Sequence, residues 1–390
     1  MSCRALTSRH MLDCYRMAAE KGVWESGLTS LNATGAEGFV GGSAAVRLPR
    51  LDEASAFVVR GKGVYAALDL GTNNCRLLVA RPIRDGAPEN GESFRIVDAF
   101  SRIVRLGEGL GQSGRLSEAA INRTIDALLV CRDKMAARDV SRARLIATEA
   151  CRAADNGADF VARVRDETGL ELEIISRETE ARLAATGCAA LADSAAKSVL
   201  LFDIGGGSSE IVWLSPRRGR DGPLDGQVRH WTSLQLGVVT LAERFGGAEV
   251  SFRQFTAMTE LVVAELQHFL ACSAQEERCG RFHLLGTSGT VTTLAGVHLN
   301  LARYDRRRVD GLWMSHAEID AVMARLRGMS YAERARNACI GPDRADLVLA
   351  GCAILEGIRR CFPSERIRIA DRGLREGMLL ELMRADKSFA

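Results

Sequence analysis

Three glycine-rich turns carry the residues best suited to chemistry. LDLGTNN (68–74) and FDIGGGSSE (202–210) each leave a short apolar run through an Asp into glycine, and GTSGT (286–290) adds a third such turn. Glycine tolerates φ > 0 and lets backbone N–H groups approach an anion without side-chain obstruction. Successive N–H groups of this kind cradle phosphate oxygens, and Thr72, Asn73, Ser208 and Ser209 can add side-chain donors. Two turns facing each other across a cleft would grip a polyphosphate from both sides. Asp69 and Asp203, one at each strand end, suit a Mg²⁺ that keeps waters and bridges phosphate oxygens. One copy alone would read as a tight hairpin, where Asp is a common turn residue. Two copies with the same Asp–x–Gly lead, and the third turn, favour the phosphate reading.

The surrounding pattern supplies elements to hold those turns. VYAALDL (64–70) and CRLLVARP (75–82) flank a Gly/Asn turn, which is a hairpin signal. FRIVDAFSRIVRL (94–106) and ARLIAT (143–148) read as strands, and LELEIIS (170–176) as an alternating one. Ser117 opens a helix with Ile121, Ile125, Leu128 and Leu129 on one face, and FVARVRDETG (160–169) reads as a helix stopped by Gly169. Ser176 can cap a helix that carries Glu178, Glu180 and Leu183. SVLLFDI (198–204) and SEIVWL (209–214) form a second strand–turn–strand, and Ser251/Gln254 and Ser315/Glu318 are capping boxes. RFHLLGT (281–287) and IRIAD (367–371) are strands; 345–360 and 373–385 are helices. Strands alternating with helices predict an α/β fold. Residues 68–80 and 202–214 also line up at an offset of 134, Asp69 on Asp203 and Gly71 on Gly205, which predicts two similar domains.

Composition narrows the function classes. The 390 residues are 47% hydrophobic and 26% charged, which excludes a largely disordered chain. A net charge of +3 is too mild to mark a nucleic-acid binder, and 5% aromatics leave little for base stacking. The 11 Cys show no CxxC pair or zinc spacing, as expected of reduced thiols in a cytoplasmic protein. The six His are scattered. No apolar run approaches the roughly 20 residues that span a bilayer, and the N-terminus lacks a secretory h-region. Residues 1–62 read as a poorly ordered extension.

Six segments together resemble the Ppx/GppA phosphatases. They are YAALDLGTNNC (65–75), ATEACRAADNG (147–157), IISRETEARLAA (174–185), LFDIGGGSSEI (201–211), LGTSGTVTTLAG (285–296) and IADRGLREGM (369–378). Their order and spacing match from about Val64 to Met383. The resemblance implies two actin-like (ribonuclease H-like) ATPase-fold domains with a cleft between them. The expected domains are 63–184 and 185–390, with the last helix free to pack back on the first. It implies an Mg²⁺-dependent phosphohydrolase releasing the terminal phosphate of inorganic polyphosphate or guanosine pentaphosphate, and a homodimer. It puts Glu180 at the catalytic carboxylate, as general base on water, and Asp203 and Glu210 at the Mg²⁺ site. Gly205, Gly206, Gly207 and Ser208 match its phosphate turn, and Asp69, Gly71, Thr72 and Asn73 the facing one. Arg152 matches an Arg that meets phosphate.

A polyanion needs a cationic approach, and two Arg clusters qualify. One holds Arg303, Arg306, Arg307 and Arg308 beside Tyr304; the other holds Arg359, Arg360, Arg366, Arg368, Arg372 and Arg375. Solvated faces would read the same way. The chain has Val309-Asp310-Gly311 where the family usually has Val-His-Gly, which disfavours a phosphate contact there. The extra helical domain of longer members is not recognisable. Two other readings stay open: an ATP-dependent small-molecule kinase of the same fold, and a non-catalytic phosphate or alarmone sensor.

Overall fold

The computed structural model describes residues 63–83, 94–193, 195–215, 228–278 and 282–388; the expected extension over 1–62 lies outside them. Strands are β1 Tyr65–Leu70, β2 Asn74–Pro82, β3 Phe94–Ile103, β4 Arg142–Ala147 and β5 Glu173–Ile174 in one sheet, ordered β3-β2-β1-β4-β5. The other holds β6 Ser198–Ile204, β7 Ser209–Leu214, β8 Val228–Leu234, β9 Phe282–Thr287, β10 Trp313–Ser315 and β11 Arg366–Ile369, ordered β10-β11-β9-β6-β7-β8. Each sheet opens with an antiparallel meander and then takes a parallel strand against its first strand, β4 on β1 and β9 on β6. The repeat seen in the sequence is thus a repeat of topology, and the register agrees residue by residue. Asp69 stands opposite Arg76, and Asp203 opposite Glu210.

Helices of eight residues or more are α1 Glu118–Ala137, α2 Gly157–Thr168, α3 Arg177–Cys188, α4 Val238–Phe245, α5 Phe252–Arg278, α6 Ser288–His298, α7 His316–Gly328, α8 Val348–Cys361 and α9 Leu374–Ala385. Their starts follow the expected caps. The Ser117, Ser176 and Ser315 hydroxyls accept from the N–H three residues on, and Ser251 does so from Gln254. Gly169 ends α2 in the left-handed region at φ 71°. The expected strand over 170–176 shrinks to Glu173–Ile174, because only Ile146 and Ala147 at the end of β4 are there to pair with it. Leu170 and Leu172 instead pack into the core beneath α1 and α2.

The last helix, α9, lies on the first sheet. Leu374, Met378, Leu379, Leu382 and Met383 pack against Tyr65 and Ala67 of β1, Leu78 and Ala80 of β2, and Leu183 of α3. The Tyr65 hydroxyl donates to Asp386 at 3.0 Å. Leu379 is fully buried there, so Leu379→Ala should cost about 3 kcal/mol, transfer and cavity together. Urea denaturation would read this as a lower midpoint at unchanged slope; an unaltered midpoint would refute the packing.

Candidate active site

The two hairpin turns are built alike. The Gly71 N–H donates to the Asn74 carbonyl and the Gly205 N–H to the Ser208 carbonyl, both at 2.9 Å. None of Gly71, Gly205, Gly206 and Gly207 has a left-handed φ. The φ > 0 expectation is therefore corrected; what these turns need is the missing side chain. A methyl at Gly206 would lie 3.0 Å from Thr72 Cβ and 3.2 Å from the Asn73 nitrogen. One at Gly207 would lie 2.6 Å from Thr72 Oγ1 and 3.1 Å from Glu149 Cγ. The turns of the two domains therefore meet across van der Waals contact. The first is held from outside as well: the Val104 and Arg105 N–H groups donate to the Asn73 carbonyl and that of Gly107 to Thr72, at 2.9–3.0 Å. The third turn, at the start of α6, adjoins both. Ser288 takes φ 82° there and donates its hydroxyl to the Ile204 carbonyl at 2.8 Å.

A cleft of about 690 Å³ opens at this junction. It is lined by Asp69, Gly71, Thr72 and Asn73 of the first turn and by Asp203, Gly205, Gly206, Gly207, Ser208 and Glu210 of the second. Glu180 joins them from the first turn of α3. Arg152 and Ser209 do not line it. The Ser209 hydroxyl donates to the Leu236 carbonyl at 2.7 Å, so its expected side-chain contact to phosphate is corrected. Arg152 is engaged behind the cleft. Its Nε and Nη2 donate to Glu149, its Nη1 to the Ile175 carbonyl, and its Nη2 also to Glu180 Oε2 at 2.8 Å. With these bonds made, Arg152 holds the glutamate instead of facing the cleft.

The acidic groups crowd one another. Burial, then the neighbouring Glu210 charge, push Glu180 well above the carboxylate range, against the pull of Arg152. Burial and Asp69 raise Asp203 to about 6. Burial and Asp203 raise Glu210 to about 7, although the Ser208 and Ser233 hydroxyls donate to its Oε1 at 2.8 and 2.9 Å. Burial raises Asp69 too. Such a set of hard oxygen donors suits a divalent cation, which would relieve the repulsion. No three His, Cys, Asp or Glu side chains among the described residues are grouped to hold a metal by themselves. Mg²⁺ asks for less: one or two carboxylates, waters and substrate phosphates. The residues therefore fit Mg²⁺ as a shared ligand of protein and phosphate.

Other lining residues went unassigned in the sequence. Glu149 is nine-tenths buried; burial opposes its charge, but Arg177 and Arg152 outweigh that and hold it below its ordinary range. Arg76 was legible in principle, since it occupies in β2 the place of Glu210 in β7. Arg344 had no signal. Of the two Arg clusters, Arg306, Arg372 and Arg375 line the cleft. The others serve elsewhere: Arg303, Arg307 and Arg308 are exposed, Arg359 pairs with Asp320 and Arg360 with Glu260, and Arg366 and Arg368 lie over Trp313. Asp310 pairs with Arg372 and accepts from the Asp371 N–H at 3.0 Å, so its charge is spent on its own wall.

The chain is 29% identical over 326 residues to Exopolyphosphatase 2 of Mycobacterium tuberculosis, covering 81% of this chain and 98% of that one. It is 27% identical over 323 residues to a guanosine-5'-triphosphate,3'-diphosphate pyrophosphatase of Aeromonas salmonicida, 82% of this chain but only 59% of that protein. Among solved structures, the Aquifex aeolicus PPX-GPPA enzyme aligns at TM-score 0.66 and 30% identity, over 82% of this chain and all of its own. An exopolyphosphatase from Cytophaga hutchinsonii aligns at TM-score 0.72 and 21% identity, a likeness of fold, over 83% of this chain and 98% of its own. The two sheets of repeated topology are the two-domain actin-like fold. Residues 86–386 match the model of the Ppx/GppA phosphatase family, and the chain, a hydrolase by that membership, belongs to it.

Proposed function

We propose that this chain is an Mg²⁺-dependent phosphohydrolase. It releases the terminal phosphate from inorganic polyphosphate or guanosine pentaphosphate, with Glu180 as general base. The observation that carries the reading is the meeting of the two glycine turns at one cleft that Glu180 also lines. The names of its relatives, an exopolyphosphatase and a guanosine pentaphosphate pyrophosphatase, supply the substrate class.

In this reading the turns hold the terminal phosphoryl group by N–H groups left free of the hairpin bonds. Glu180, tied through Oε2 to Arg152, takes a proton from water at its other oxygen. The water oxygen bonds to the terminal phosphorus, the anhydride P–O bond breaks, and the leaving oxygen stays with the shortened substrate. Burial and the Glu210 charge raise Glu180 above the ordinary carboxylate range, which makes it a stronger base for this step. Thr72 and Ser208 orient the phosphoryl oxygens. Asp203 and Glu210 would hold Mg²⁺, which supplies charge neutralisation to the transferred group. Arg375 and Arg76 give the cleft a cationic side. A homodimer and a cytoplasmic location belong to the same proposal. Supporting the latter, no disulfide joins the described cysteines, all of which but Cys272 are buried.

The test is orthophosphate release from each substrate with Mg²⁺ and with excess EDTA. The expected result is release from one or both, falling at least about 100-fold on chelation. Release that ignores EDTA would remove the metal from the account. Absence of release from both, with phosphate passed from ATP to a small acceptor, would replace hydrolase by kinase.

A further inference from the structure

We infer that Arg105 and Glu243 are positioning residues, the ends of two polar struts behind the cleft that keep the glycine turns of the two domains from parting. For its effect on turnover this rests on the phosphohydrolase reading; the struts themselves do not.

The front of the junction resists only one movement. The turns touch where Gly206 and Gly207 meet Thr72, so they cannot come closer. Contact of that kind does nothing to stop them separating. The restraint against separation lies at the back. Residues 104–109 follow β3 and carry the first turn, through the Val104 and Arg105 N–H groups on the Asn73 carbonyl and that of Gly107 on Thr72. Buried Leu106 fixes this segment to its own domain, as does Arg123, whose Nε donates to the Val104 carbonyl at 2.8 Å. Two struts cross from it to the second domain. Arg105 grips both carboxylate oxygens of Asp346, from Nη1 at 3.0 Å and Nη2 at 3.2 Å, and its Nη2 also donates to the Asp343 carbonyl at 3.1 Å. The Gly109 N–H donates to Glu243 Oε1 at 2.8 Å.

Helix α4 closes the path. Glu243 lies two residues before its end. Asp346 sits against the chain just after it, where a methyl on Gly247 would lie 2.3 Å from the Asp346 carbonyl oxygen. At its start, the Val238 and Val239 N–H groups hold the Gly205 and Gly206 carbonyls of the second turn. Hydrogen bonds and one helix thus join turn to turn behind the cleft. Two features mark the struts as more than surface pairs. Arg105 takes φ 48°, a left-handed state that a side chain seldom adopts and that persists only where the surroundings over-determine it. A cavity of about 270 Å³ also lies here, lined by Asn73, Arg105, Val239, Glu243, Gly247 and Asp346. Among the described residues, packing therefore does not set the spacing of the turns on this side. The Arg105 and Asp346 side chains are 34% and 25% exposed, so losing their pair costs little stability while it frees the geometry.

The test is a double-mutant cycle on the full chain, with Arg105→Gln, Glu243→Ala and the two combined, read by kinetics and by amide hydrogen exchange. The struts act in parallel, so either one alone still holds the turns. Each single variant is expected to lower kcat/KM about threefold and the pair about 10²-fold, well beyond the product, on the scale of an ångström's misplacement. Exchange over residues 68–75 and 202–210 should rise at least about tenfold in the double variant, while α1 and α7 keep wild-type protection. Glu243→Gln, which keeps an acceptor for the Gly109 N–H, should recover most of what Glu243→Ala loses. Losses that merely multiply, turn exchange that stays at the wild-type level, or exchange that rises along the whole chain would overturn the proposal and leave both residues structural. Exchange is read without substrate, so a chain that hydrolyses nothing still answers: raised exchange confined to the turns upholds the struts and counts against the phosphohydrolase reading alone.

Discussion

The Glu180→Gln chain is expected to bind polyphosphate at least as well as wild type and to turn it over 10²- to 10⁴-fold more slowly. Glutamine keeps the shape and the oxygen that accepts from Arg152 Nη2, so the tether from α3 survives. It removes only the capacity to take a proton. It also removes a negative charge beside Glu210 and Asp69, two groups that already oppose ionisation of Glu180. Substrate affinity should therefore hold or improve while kcat falls, which separates this role from a binding role. Glu178, two residues earlier on the same helix, is exposed and outside the cleft. Glu178→Gln should leave kcat within about twofold, since a surface substitution touches nothing in the site. Equal losses in both variants would assign the effect to the helix start and not to proton transfer.

Gly237→Ala should lower kcat/KM by about 10²-fold or more, a scale set by misplacing phosphate donors by an ångström. Gly237 stands just before α4, and a methyl there would lie 2.2 Å from the Gly206 carbonyl oxygen and 2.5 Å from the Gly207 nitrogen. Those neighbours are backbone, so no side-chain rotation relieves the overlap and the phosphate turn itself must shift. The same helix start clips that turn: the Val238 and Val239 N–H groups donate to the carbonyls of Gly205 and Gly206 at 3.0 and 2.8 Å. Displacing one side therefore displaces the other. Gly328, at the end of α7, has nothing within 4 Å of such a methyl. Gly328→Ala should keep full activity and change stability by no more than about 1 kcal/mol, in the stabilising direction. Steady-state kinetics with a melting curve for each variant separates local displacement from unfolding.

Much of the frame could be read from the sequence because its signals are local. Asp–x–Gly after an apolar run, a Ser three residues before an acid, and Gly169 after a helix each report a backbone state fixed within a few residues. The offset of 134 told more than expected, since it carries through to strand register. Following it one step further would have found Arg76 as the counterpart of Glu210. What stayed hidden depends on contacts between distant segments. Gly237 is ordinary until the Gly206 carbonyl is seen beside it. Ser209 had the right residue type in the right turn, but a hydroxyl one place along a strand points to the other face, here to Leu236. Arg152 belongs with the site, yet Glu149 decides its direction, and nothing in the spacing tells an arginine that touches substrate from one that holds a glutamate. The strand over 170–176 failed for the same reason: alternation records burial, while pairing needs a partner edge.

The most direct test of the central claim is the fate of a water oxygen. Wild-type chain, Mg²⁺ and polyphosphate in H₂¹⁸O should yield orthophosphate carrying one ¹⁸O per molecule released, with the shortened polymer unlabelled. That pattern follows if water attacks the terminal phosphorus in the cleft. Label in the polymer end instead, or orthophosphate that is formed without label, would contradict it.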